Sequence, residues 1–257
     1  MSGDPEALFS LYRHFGYAPF DRCSAFRYDG ELHVVPDPDA VSFADLVGCE
    51  EQNRLLRRNV ERFLNRQPSL STLLYGARGS GKSSAVKALR TAYAAQGLRL
   101  VEITPEGLGS LHLLLEELRL LPQRFVLYLD DLSLSSVNPM VHLLRGLLEG
   151  GVHRKPDNLL VIATSNRRNV VSESWRDRPD PDAGPHAWDD LQDQLALADR
   201  FGLVLTYPPL DQERYLAIVS HLLRRPLDPE LHRAALRFAL EGRGFSGRTA
   251  RQFVDWL

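Results

Sequence analysis

The sequence predicts an α/β fold: a doubly wound parallel sheet of five strands, closed by a small helical lid. Three observations carry this. Short apolar runs alternate with amphipathic stretches through the middle of the chain. A glycine-rich loop lies between the first of those runs and a helical pattern. After Pro208-Pro209 every remaining segment reads as helix.

Taken in order, residues 1–41 form an expected N-terminal arm containing Phe9, Tyr12, Phe15, Tyr17 and Phe20. Asp29-Gly30, between short alternating runs within Ala25–Val35, reads as a hairpin turn, and Pro36-Asp-Pro-Asp39 reads as a linker. A helical pattern is expected from Ser42, carried by Leu46, Leu55, Leu56, Val60, Phe63 and Leu64. The expected core spans residues 42–207, with strands at Ser71–Tyr75, Leu98–Ile103, Phe125–Leu129, Leu159–Ala163 and Leu203–Tyr207. The continuous apolar character of the third and fourth strands suits strands covered on both faces. Helices are expected at Leu108–Leu118 and Val141–Leu148, and a Pro/Asp/Gly-rich surface loop within residues 172–190. The lid, 208–257, reads as helices Glu213–Leu223, Glu230–Leu240 and Gly247–Trp256.

Composition narrows the function classes. The chain has 257 residues, 44% hydrophobic and 25% charged, with a formal net charge of −2. That balance supplies no overall attraction to nucleic acid or anionic lipid. The only lysines are Lys82, Lys87 and Lys155, so a lysine inside a phosphate-binding pattern stands out against an arginine background. Two cysteines, Cys23 and Cys49, exclude a disulfide or zinc-ribbon scaffold and fit a reducing compartment. No apolar run approaches the roughly 18 residues of a membrane span. A soluble, cytoplasmic protein without a membrane partner is expected. Four histidines (His112, His142, His153 and His186) lack metal-ligand spacing.

The chemistry concentrates in four places. Gly76-Ala77-Arg78-Gly79-Ser80-Gly81-Lys82-Ser83 fits G-x-x-x-x-G-K-[ST], and Ser84 follows it. Its glycines let successive backbone N–H groups turn toward phosphate oxygens, and the next helix adds its N-terminal partial charge. Lys82 is placed for the β- and γ-phosphates, and Ser83 for Mg2+. Second, Phe125–Asp131 is an apolar strand ending in two acids. Asp130 is a Mg2+ partner and Asp131 a group to orient or deprotonate water. Alone, such an ending is equally a strand terminus or a helix N-cap. Third, the strand from Leu159 ends at Asn166, which can donate to a γ-phosphate or to water, or simply cap a turn. Fourth, Arg200 precedes the last strand; it is either a surface arginine or a guanidinium for transition-state charge.

These segments together resemble an AAA+ ATPase over about residues 42–257. Gly76–Ser83 matches Walker A and Val126–Asp131 matches Walker B. Asp45-Leu46-Val47-Gly48 resembles the segment that contacts adenine, and Asn166 matches sensor 1. Arg200 in Asp-Arg-Phe-Gly matches the arginine finger of the Holliday-junction branch-migration motor. Gly244-Phe-Ser-Gly-Arg248 resembles the sensor 2 segment, and Thr104 stands where the family carries a switch residue. The chain is also similar, nearly throughout, to an uncharacterised bacterial family of predicted AAA+ ATPases carrying this P-loop. The resemblance implies a P-loop NTPase core with a parallel five-stranded sheet flanked by helices, a helical lid, ATP/ADP and Mg2+ as ligands, and a homo-oligomer. In that ring or filament Arg200 would act in trans, on an unidentified protein or nucleic-acid client.

One departure bears on rate. Most of the family has Glu where this chain has Asp131, one methylene shorter. Two further readings therefore stand beside an oligomerising ATPase. One is a slowly hydrolysing ATP-dependent switch or loader. The other is a P-loop kinase, which the lid, Arg200 and Arg248 disfavour. The N-terminal arm is the expected seat of partner specificity, or else a brace for a neighbouring subunit, and Trp175 and Trp188 flank the acidic loop as client contacts or as anchors.

Overall fold

The computed structural model describes residues 19–132, 146, 148, 156–166, 199–242 and 244–257. Most of the expected Val141–Leu148 helix, the 172–190 loop with Trp175 and Trp188, and the aromatic residues before Pro19 lie outside that set.

Strands β1 (Ala25–Tyr28), β2 (Leu32–Val34), β3 (Thr72–Gly76), β4 (Leu98–Ile103), β5 (Arg124–Leu129), β6 (Leu159–Ser165) and β7 (Leu203–Tyr207) form one sheet, ordered β2-β1-β4-β5-β6-β3-β7. All neighbours are parallel except β1 and β2. The five expected strands are present, and the sheet holds two more. The hairpin around Asp29-Gly30 belongs to the sheet itself, because β1 pairs in parallel with β4, with Ala25 opposite Leu100 and Tyr28 opposite Ile103.

The strand alternation builds two cores. Phe125, Leu127 and Leu129 of β5 face one side with Leu73, Val161 and Ala163. Val126 and Tyr128 face the other with Leu74, Leu160 and Ile162. Helices α1 (Glu50–Leu64) and α2 (Lys82–Tyr93) cover the second face through Leu56, Val60, Phe63, Val86 and Leu89. Helix α3 (Leu111–Leu118) covers the first through Leu111, Leu114 and Leu118. This is the doubly wound arrangement, with apolar residues at helical spacing on each covering helix.

Two expected helices are shorter than their patterns suggest. The segment before α3 is a 3-10 helix, Pro105–Ser110, where proline and two glycines weaken α-helix formation. The pattern from Ser42 breaks before α1. Ser42 and Asp45 close a separate turn, Phe43–Asp45, with a reciprocal capping box. The break lets Leu46 pack on the sheet core while Val47 packs on the lid.

The segment expected as the lid forms helices α4 (Gln212–Leu223), α5 (Pro229–Leu240) and α6 (Gly247–Trp256). Each begins at a side-chain cap: Asp211 accepts from the Arg214 N–H, Asp228 from those of Glu230 and Leu231, and Ser246 from that of Thr249. Tyr215, Val219, Ala235, Ala239, Ala250 and Phe253 form its core. The small alanines let the three helices approach closely around the two rings.

The chain on either side of the β1–β2 hairpin is tied down from two places. Arg99 of β4 is buried and donates to the carbonyls of Phe20, Ala94 and Leu98. Arg90 of α2 donates to the carbonyls of Pro38 and Asp39 and to Ser24 Oγ, while Lys87 pairs with the Asp39 carboxylate at 2.5 Å. The Pro36–Asp39 linker is thereby strapped across the outer face of α2.

Candidate functional site

Strand order places the chemistry. Strand β6 lies between β5 and β3, with Leu129 opposite Ala163 and Tyr75 opposite Ser165. The loop after β3, the acids after β5 and the polar end of β6 therefore meet at one edge of the sheet. Ligands in open α/β sheets bind at this carboxyl-terminal edge, where the strand order reverses.

The Gly76–Ser83 loop is shaped by close contacts. Gly76 has φ 140°, and a Cβ there would lie 1.9 Å from the Tyr207 carbonyl oxygen, so only glycine fits. Ser80 Oγ donates to the Ala77 carbonyl at 2.8 Å. Lys82 starts α2 and is 4% exposed. Its Nζ donates to the carbonyls of Gly76 at 2.9 Å and Ala77 at 2.7 Å. Two of three ammonium protons are thus committed inside the loop, and among the described residues nothing takes the third, which suits an incoming acceptor. Burial lowers the Lys82 pKa to about 8 despite the attraction of Asp130 and Asp131.

The two acids have different surroundings. Asp130 Oδ1 accepts from Ser83 Oγ at 2.9 Å and from Thr164 Oγ1 at 2.6 Å. Partial burial works against its charge, but the bonds from Thr164, Ser83 and the Asp131 N–H, with the Tyr128 hydroxyl nearby, win, and its pKa lies below the usual aspartate range. Buried Tyr128 sits beside it, and burial together with the carboxylate keeps the phenol protonated. Asp131 adopts φ 50° and its carboxylate accepts from Asn166 Nδ2 at 2.6 Å.

Among the described residues, the hydrogen bond to the Asp131 carboxylate comes from Asn166, not from Thr104, whose hydroxyl is buried at the end of β4. Thr164 and Tyr128 escaped the sequence reading. Alternation along β6 was the available signal, since positions 164 and 166 share one face of the strand.

The lid reaches the same loop. The Gly247 N–H donates to the Gly79 carbonyl at 2.9 Å, and a Cβ on Gly79 would lie 2.5 Å from Ser246 Cβ. Exposed Arg248 follows Gly247 directly and so sits beside its own P-loop. Leu46, Val47 and Gly48 lie along the seam between sheet core and lid, with Gly48 packed toward the Arg214 stem. Arg78 and Gly79 are exposed; Ser83 and Ser84 are half-buried.

Arg200 is not brought to this edge. It precedes β7, whose Leu203 pairs with Thr72 at the start of β3, whereas the P-loop follows the far end, where Gly76 pairs with Tyr207. Five residues of strand separate the two ends, about 15 Å.

The group present suits a Mg2+–phosphate ligand. A hydroxyl and an ionised carboxylate, Ser83 and Asp130, adjoin each other as hard oxygen donors, and the buried Lys82 ammonium keeps one N–H in reserve. Among the described residues no helix is long and apolar enough to cross a membrane.

No curated protein matches the chain in sequence. In fold it is similar to the Orc1 protein of Aeropyrum pernix, solved in complex with DNA, at TM-score 0.54 and 18% identity, covering 80% of this chain and 58% of that one. It thus spans little more than half of that protein. A weaker likeness, TM-score 0.45 at 12% identity over 84% of this chain and 72% of the other, is to the RuvB Holliday junction branch migration motor of Thermotoga maritima. The fold shared with the Orc1 structure is a mostly parallel sheet, here of seven strands, with flanking helices. Over residues 21–257 the chain matches, and belongs to, the family described as "Protein of unknown function (DUF815)".

Proposed function

We propose that this chain binds ATP with Mg2+ and hydrolyses it at a site completed by a second copy of itself, driving conformational or assembly change in a partner. One observation carries the reading: Ser83, Asp130, Asp131 and Asn166 are hydrogen-bonded into a single cluster beside Lys82, while Arg200 stands at the opposite edge of the sheet.

Backbone N–H groups of Gly76–Ser84 and the start of α2 hold the phosphates, and Leu46–Gly48 flank the base. Lys82 directs its remaining N–H at the β/γ-phosphates. Ser83 and Asp130 hold Mg2+, which when bound neutralises charge on the phosphate oxygens. Asp131 accepts the proton of the attacking water or orients it, with Asn166 fixing the carboxylate. Arg248 approaches the γ-phosphate from the same chain's lid, and Arg200 arrives from the neighbour.

Mixing tests the division of labour. Lys82→Ala and Arg200→Ala are each expected to be nearly inactive, and their mixture to regain activity, because some interfaces then pair an intact P-loop with an intact Arg200. Specific activity of the native protein should also rise with concentration. A concentration-independent rate from a strict monomer overturns the trans arrangement.

A second reading, a slow switch or loader on a protein or nucleic-acid client, is favoured by Asp131 itself, short and already engaged by Asn166. Strong stimulation of turnover by DNA, or none, separates a nucleic-acid client from a protein one.

A further inference from the structure

The turn carrying the two acids is held by one residue outside the recognised motifs. Thr164 is 1% exposed on β6. Its hydroxyl donates to Asp130 Oδ1 at 2.6 Å and accepts from the Asp131 N–H at 2.9 Å. Its own carbonyl accepts from the Leu132 N–H at 2.7 Å. Three consecutive residues, 130 to 132, are thus fastened to one threonine. The middle one has φ 50°, in the left-handed region that L-residues seldom occupy and that persists only where surroundings impose it.

The consequence is a difference in aim between adjacent carboxylates. Asp130, tied to Thr164 and Ser83, lies on the hydroxyl side of the site. Asp131, turned at its backbone, meets Asn166 at 2.6 Å. In an ordinary extended strand, consecutive side chains would point to opposite faces of the sheet. The left-handed turn keeps both acids at the same edge.

We propose that Thr164 is a positioning residue of the proposed ATPase site. It fixes Asp130 for the cation and imposes the turn that lets an aspartate at 131 serve where a longer glutamate would otherwise be needed. The inference rests on the ATP–Mg2+ reading above and adds a residue and a reason for the shorter acid.

Thr164→Val keeps shape and removes both hydroxyl bonds; Thr164→Ser keeps the bonds. Calorimetric titration with ATP, in EDTA and in Mg2+, reads the effect apart from turnover. For Thr164→Val, affinity in EDTA should stay within about twofold of the native protein, while the gain from Mg2+ shrinks about tenfold. Its kcat should fall about 10- to 100-fold with KM little changed, and Thr164→Ser should restore both to within about threefold. Asp131→Glu should lower kcat in the native background and add little loss in the Thr164→Val background.

A native Mg2+ gain and native kcat in Thr164→Val overturn the positioning role and leave the ATPase reading intact. An Asp131→Glu variant faster than the native protein overturns the claim about length. If the native protein shows no Mg2+-dependent gain at all, the underlying reading fails instead. Should Thr164→Val not fold, the Thr164→Ser and Asp131→Glu measurements decide.

Discussion

The two ends of the sheet are chemically unlike. At the carboxyl-terminal edge, Ser83, Asp130, Thr164, Asp131 and Asn166 are linked by hydrogen bonds of 2.6 to 2.9 Å beside one buried lysine. The opposite edge carries guanidinium groups. Arg200 precedes β7, and Arg124 opens β5, lying 5.0 Å over the Phe63 ring and donating to the Asp157 carbonyl. Arg66 is close enough that it reinforces burial in lowering the Arg124 pKa. One end carries the proposed cradle for phosphate and metal, and the other carries the proposed trans arginine. The length of β3 and β7 between them is what supports the proposal that the two meet between chains.

The largest expected effect sharpens that contrast. Arg200→Ala should reduce hydrolysis by about a thousandfold or more, with ATP affinity, measured by calorimetry, changed less than about threefold. An equal loss of binding would mean that Arg200 serves its own P-loop, and the contrast would collapse.

Next is pH. Burial lowers the Lys82 pKa from 10.5 to about 8, and a bound phosphate favours the charged form. ATP affinity should therefore decline as pH rises above about 8, by at most about tenfold per unit, with proton uptake on binding. Titrations in buffers of different ionisation enthalpy read this directly. The sign for folding is opposite. An unfolded lysine keeps its proton to higher pH, so this group adds stability between about 8 and 10.5. Affinity flat through that window would mean that Lys82 is not the phosphate partner.

The smallest effect tests the lid. Ser246→Ala removes the cap of α6 beside Gly79 and should cost about 1 kcal/mol, read as a modest fall in melting temperature. A larger loss of ATP affinity than of stability would show that the lid contact shapes the P-loop as well as resting on it.

Much of this was legible from the chain alone, for a physical reason. A phosphate loop needs fixed residues at fixed spacing, and strands buried on both faces need unbroken apolar runs; Gly76–Ser83 and Phe125–Leu129 meet those demands locally. The pairing of Ala25 with Leu100 was not legible, because a strand's choice of neighbour is decided across long sequence separations. Thr164 escaped for the same reason. Its hydroxyl matters only through the register that sets Leu129 opposite Ala163, which brings residue 164 against Asp130. The 3-10 segment at Pro105–Ser110 could have been anticipated from Pro105, Gly107 and Gly109, which the apolar periodicity outweighed.

The strap of Pro36–Asp39 across α2 makes that helix a shared mechanical part. Its first turn carries Lys82 and Ser83, while Lys87 and Arg90, farther along, grip the linker that follows the β-hairpin. The hairpin and the proposed phosphate-binding residues are thus anchored to one and the same rigid rod.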